Sequence, residues 1–150
     1  MTRQWQLMRD AQTFLEASRL ANDALMGMHF VQIARQRGES VKPLYFEKID
    51  SGIKLLETIL RTLEAREKQE TVSSEALSIL YVLSQGRMIG GPAALKKMLK
   101  DSIMELQSFK EGKIEAFEDA EDFLEIIASS TSEEASKATS KVRIFMAEAR

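Results

Sequence analysis

The chain has 150 residues, of which 44% are hydrophobic and 29% charged, and its formal net charge is −2. That balance belongs to a globular chain; it excludes a disordered or membrane-embedded one and a global basic field for nucleic acid. With no cysteine, disulfides, thiolate metal sites, iron–sulfur clusters and cysteine nucleophiles are also excluded.

Leu, Ala, Glu, Lys and Met outweigh β-branched and aromatic residues, and there are two prolines and seven glycines. This composition predicts an all-α fold, a bundle of five or six amphipathic helices with a long N-terminal helix, forming one helical domain over residues 1–150. The N-terminus, with Arg3, Arg9 and Asp10 around Trp5, lacks the apolar core of a signal peptide. The longest uncharged apolar stretch, Ala76 to Gly86, is too short to span a bilayer. The expected location is cytoplasmic, with no membrane partner.

The first helix is predicted from near Thr2 towards Arg37. Leu7, Ala11, Phe14, Ser18, Ala21, Leu25 and Met28 share one side of it at helical spacing. Leu20, Ala24 and Val31 widen that arc, and Met8, Leu15 and Ile33 lie on its other flank. Gly27 is a candidate bend, and Gly38 a C-terminal stop. Pro43 opens a second helix whose core stripe is Ile49, Ile53, Leu56, Leu60 and Leu63, ending among the charges of Glu64 to Glu70. Ser73 or Ser74 caps a third helix running to Gln85, with Gly86 after it. Glu75 is the one charge between Ser74 and Gly86, so this helix is expected to be the most buried, with the bundle arranged around Leu77 to Leu83.

Pro92 begins a fourth helix with Leu95, Leu99, Ile103 and Leu106 inward, interrupted at Gly112. A fifth carries Ile114, Phe117, Leu124 and Ile127. The run Ser129, Ser130, Thr131, Ser132 is expected to break it, and Thr131 with Glu134 has the spacing of a capping box for a sixth helix. Ala135, Ala138, Val142, Phe145 and Ala149 would face the core there.

Four features carry possible chemistry. The first is the Gly90–Gly91–Pro92 turn. Residues 86–100 hold four bases, Arg87, Lys96, Lys97 and Lys100, and no acid. Glycines let backbone amides approach a phosphate, and a helix N-terminus favours an anion. Leu83 to Leu99 resembles the helix-hairpin-helix motif of non-specific DNA-binding proteins, in which a glycine–hydrophobic–glycine turn joins two helices. The resemblance implies backbone-phosphate binding at Arg87, Gly90, Gly91, Lys96, Lys97 and Lys100. Ile89 stands where that motif has its first glycine, and Ala93 and Ala94 stand where a lysine would follow. The plainer reading is a tight interhelical turn.

The second feature is a set of carboxylate pairs one turn apart, Glu118 with Glu121 and Glu47 with Asp50. They are similar, in reversed order, to the Glu-x-x-Glu and Glu-x-x-Asp pairs with which all-α nucleotide pyrophosphohydrolases hold magnesium, and that resemblance implies Glu118 and Glu121 as metal candidates. Helical phase turns Glu47 to solvent, sets Glu118 at the flank and leaves only Glu121 within the apolar arc between Phe117 and Leu124. A core-facing carboxylate needs a partner, and Lys137, Lys141 or Arg143 would supply one. Third, residues 114–128 carry six acids and no base, a surface for a basic partner or a cation or, on the plainer and preferred reading, one that pairs within the molecule with the basic 86–100 segment or the last helix. Fourth, His29 is the only histidine; with no strong ligand beside it, it reads as a core or interface residue.

No cofactor follows from these residues. The leading expectation is a non-enzymatic helical interaction or assembly subunit that associates with itself as a homodimer, or with another protein, through the first helix. A nucleic-acid or phosphate-binding module at residues 86–100 comes second, and a magnesium-dependent phosphohydrolase third.

Overall fold

The computed structural model describes residues 3–84 and 91–148, the side chains of residues 3, 4 and 145 apart. These residues form five helices: α1 (Arg3–Gln36), α2 (Pro43–Glu67), α3 (Ser74–Ser84), α4 (Pro92–Lys110) and α5 (Glu118–Glu148). Among the described residues there is no strand. None of these helices is long and apolar enough to cross a membrane.

Local chemistry sets most of the boundaries. Gly38 turns left-handed after α1 at φ +68°, and the Glu39 N–H closes onto the Ala34 carbonyl at 2.9 Å. The same closure ends α4, where Gly112 has φ +80° and the Lys113 N–H reaches the Ser108 carbonyl at 2.9 Å. Both satisfy carbonyls that a helix end leaves open. Pro43 and Pro92 start α2 and α4 in the first turn, where a missing N–H costs nothing. Ser73 caps α3, its hydroxyl accepting the Ala76 N–H at 3.2 Å.

Four helices form an up-down-up-down ring. α1 packs against α2 and α5, and α4 closes the ring against the same two from the opposite corner. Chain directions follow from the cross-links. Ser18 of α1 donates to the Ala128 carbonyl of α5 at 3.2 Å, while His29 meets Glu121, so α1 and α5 are antiparallel. Lys96 meets Glu67 and Lys110 meets Asp50, so α2 and α4 are antiparallel too. Inside the ring Met28, Leu56, Ile59, Leu99, Leu106, Phe123, Leu124 and Ile127 are fully buried. Truncating one such leucine to alanine typically costs about 2–5 kcal/mol, because the cavity adds to the lost transfer energy.

Gly27, expected as a bend, lies at the α1–α2 contact, where a Cβ would stand 2.8 Å from the Tyr45 carbonyl oxygen. At Gly52 the approach is closer still: a Cβ there would be 2.4 Å from the Ala24 Cβ. Small residues on both helices let the two backbones come together.

Two expectations are corrected. α5 runs unbroken through Ser129–Ser132, where a break was expected, so the described residues form five helices, the lower of the two expected numbers. Thr131 is fully buried and donates to the Ile127 carbonyl at 2.6 Å. Its hydroxyl is satisfied within its own helix, so it does not cap a new one. Nor is α3 the most buried element. Only Ile79, Leu80 and Leu83 are buried on it, and Tyr81 is exposed. α3 lies at one end of the ring, against α2, α5 and the start of α1, where Arg9 contacts Ser74 and Glu75. A short helix in that position buries one side only, whatever its composition.

Candidate functional site

The basic turn is part described. Gly91 precedes α4 at φ +111°, and its carbonyl accepts the Leu95 N–H at 2.9 Å. Arg87 and Gly90 lie outside the described residues. Lys96 crosses to α2 and holds Glu67 at 3.1 Å, and Lys97 stands 3.6 Å from Asp101 one turn along its own helix. Lys100 is exposed. Two of the three lysines therefore already have carboxylate neighbours with which an incoming phosphate would compete. Such exposed pairs are weak, about 1 kcal/mol or less.

The carboxylate pairs do not converge on a common point. Glu47 and Glu118 are exposed, and Asp50 accepts from the Lys110 ammonium at 2.7 Å. Glu121, expected on the core face and paired with the last helix, is instead 28% exposed and lies 2.7 Å from His29 Nε2. Since α5 is continuous, Lys137 is sixteen residues further along the same rod, or about 24 Å at the helical rise. It cannot fold back to Glu121. Among the described residues no group of three or more His, Asp or Glu side chains could hold a metal ion. His29 is likewise not a core residue. Its side chain is 51% exposed, and its ring stands edge-on to Phe117 at 5.3 Å.

Two polar contacts were not foreseen from the sequence. The Arg35 guanidinium donates to the Phe109 and Lys110 carbonyls at 2.6 and 2.9 Å and lies over the Phe109 ring at 4.9 Å. A cation there matches the negative end of α4; the Phe109 carbonyl also accepts the Gly112 N–H at 3.1 Å, and the guanidinium adds a donor to it and to the Lys110 carbonyl. It also forms one wall of a cleft of about 440 Å³, whose rim carries Gln32, Gln36 and Ile114. At the other end of the α4–α5 connection, Glu105 accepts the Ala120 N–H at 3.0 Å and so caps α5 from a different helix. Burial pushes the Glu105 carboxyl above the usual range, Asp119 and Glu118 add to the rise, and the two backbone hydrogen bonds oppose it. A basic residue three positions from a helix stop, or an acid two turns before one, is too common a pattern to single out without the fold.

The largest chemical anomaly is apolar. Met8, Leu15, Met26, Phe30 and Ile33 all project from α1 into solvent, Leu15 at 55% exposure. They lie opposite the face made by Ala17, Ala21, Ala24, Met28 and Val31, which is buried almost completely. Phe30 stacks on Tyr45 of α2 at 5.0 Å, and exposed Leu44 continues the surface beside it. Among the described residues, the outer face of α1 is thus the longest run of apolar side chains on one helix left in solvent. Compared with known families, curated proteins and solved structures, the chain matches none of them.

Proposed function

We propose that this chain is a non-enzymatic helical assembly subunit that associates with its own kind through α1. The exposed apolar residues on the outer face of α1 carry this reading. A helix needs one apolar face to join a bundle, and α1 has two on opposite sides. Large apolar side chains gathered along one exposed helix mark an interface far more often than the same residues scattered singly. Covering each square ångström of that surface is worth about 25 cal/mol, so a few such side chains outweigh the weak ion pairs around them. Closed symmetry with a single repeated contact makes a dimer the simplest product.

Sedimentation velocity at micromolar concentration tests this. The expected species has twice the 17.0 kDa chain mass. Replacing Met26 and Ile33 with Glu, on the exposed side and away from the core, should leave the helical content intact and give the monomer. A wild-type chain that sediments as a monomer across that range would overturn the proposal.

A further inference from the structure

The exposed residues of α1 do not form a random patch; they keep a heptad interval over almost the whole helix. Trp5, Gln12, Arg19, Met26 and Ile33 stand seven residues apart and are all exposed. Met8, Leu15, Asn22, His29 and Gln36 repeat the interval three residues later, and they too are all exposed. Alternate steps of three and four residues are the spacing of a seam that packs against one other helix. The seam lies on the side of α1 away from the buried Ala17, Ala21, Ala24, Met28 and Val31, and within it His29 reaches across to Glu121 and Phe117.

The seam also has a centre of symmetry. Counted outward from the point between residues 20 and 21, Arg19 is level with Asn22, Leu15 with Met26, Gln12 with His29 and Met8 with Ile33. In these four couples apolar positions coincide with apolar ones and polar with polar; the outermost couple, Trp5 with Gln36, sets an aromatic ring against an amide. Each couple joins one member of the first set to one of the second, as the layers of an antiparallel helix pair require. A two-fold interface must be complementary to itself in this way. Parallel pairing would set Arg19 against Arg19 and His29 against His29.

Resting on the assembly reading above, we infer that the partner of α1 is α1 of a second copy, antiparallel, with the two-fold axis level with residues 20 and 21. Charge at the centre fits that arrangement. Arg19 is held by Glu16 at 2.6 Å and Asp23 at 3.1 Å, and Lys48 stands 3.7 Å from Asp23. Each copy therefore brings two bases and two acids to the axis, with no net charge to oppose docking. His29, held by Glu121, would face Gln12. The polar layers Arg19 with Asn22 and Gln12 with His29, set among the apolar ones, cost stability but fix register and direction. From Trp5 to Gln36 the seam is roughly 48 Å long at the helical rise. That length suits an interface of the standard class, on the order of 1,600 Å².

The chain has no cysteine, so introduced thiols report the geometry directly. Leu15→Cys and Met26→Cys chains are prepared separately, mixed and mildly oxidised. Both sites are on the exposed face, and circular dichroism checks the fold. The expected product is the mixed disulfide, several-fold over either homodisulfide. Predominant homodisulfides, or no disulfide in a sample that sediments as a dimer, would overturn the antiparallel pairing and leave the assembly reading standing. A sample that sediments as a monomer overturns both. An independent check avoids thiols: Met8→Lys and Ile33→Glu should each weaken dimerisation about tenfold or more. An equimolar mixture of the two should recover most of it, because the lysine then faces the glutamate. Failure to recover in a mixture of folded variants counts against the register.

Discussion

Glu105 shows how much one carboxylate can tie together. It sits on α4, yet it accepts the Ala120 N–H at the start of α5, beside the acidic Glu118 and Asp119. Its folded-state pKa is raised, chiefly by burial. A raised carboxyl binds its proton more tightly in the folded state than in the unfolded one, so its contribution to stability declines as pH rises from the ordinary carboxylate range through the folded value. Glu105→Gln keeps an oxygen acceptor and removes the titration. In denaturant melts between pH 4 and pH 7, the variant should gain on the native protein as pH rises; a constant difference would remove the titration from the account. Glu105→Ala, which leaves the N–H without an acceptor, should cost about 1 kcal/mol, the usual worth of a cap. At the same scale, Glu121 and His29 show why a sequence conceals a partner. The phase of α5 locates Glu121 near the apolar arc, but the base that meets it comes from a helix almost a hundred residues earlier.

Helix by helix, the opposing effects have sizes that decide outcomes. Alanine is a better helix former than glycine by about 1 kcal/mol, so propensity alone makes Gly52→Ala stabilising. The new methyl would meet the Ala24 Cβ at 2.4 Å, and overpacking of that kind costs about 1–3 kcal/mol. The clash wins: thermal unfolding should show a net loss, and a gain would mean that α1 and α2 separate at little cost. Ser132→Pro probes the continuity of α5. If a helix began at Thr131, proline in its first turn would be tolerated. In the middle of an unbroken helix it should cost about 3 kcal/mol or more, and calorimetry distinguishes the two. Most boundaries were legible because Pro43, Pro92, Gly38, Gly112 and Ser73 act through local chemistry alone. The inward stripes of α2 and α4 were legible for a similar reason, since helical spacing defines a face. The Ser129–Ser132 run misled because short polar side chains serve a cap and a helix interior equally well, and the buried environment of Thr131 decides between them. The burial of α3 could not be read, since hydropathy does not say that a helix will lie at the end of a ring. For the candidate site, the apolar width of α1 was visible, but not which flank would be left in solvent.

For the molecule as a whole, the proposed pairing of two copies would make stability a function of concentration. Mass action adds about 1.4 kcal/mol per dimer for each tenfold rise in protein, shared between two chains. For a domain of this size the midpoint of thermal unfolding should climb on the order of 2 °C per decade above the dissociation constant. With Met26 and Ile33 replaced by Glu it should not move; a concentration-independent midpoint in the native chain would argue against assembly. The topology of the ring has a consequence of another kind. α1 rests on α5, the element furthest from it along the chain, and synthesis delivers α1 first. While a ribosome is still making the later segments, α1 presents apolar residues on both its sides, its core-facing alanines as much as its outer seam. Two nascent chains on one message would meet at that stage, before either had closed its own core. Such a chain gains from partnering early or from being held by a chaperone until its last helix emerges.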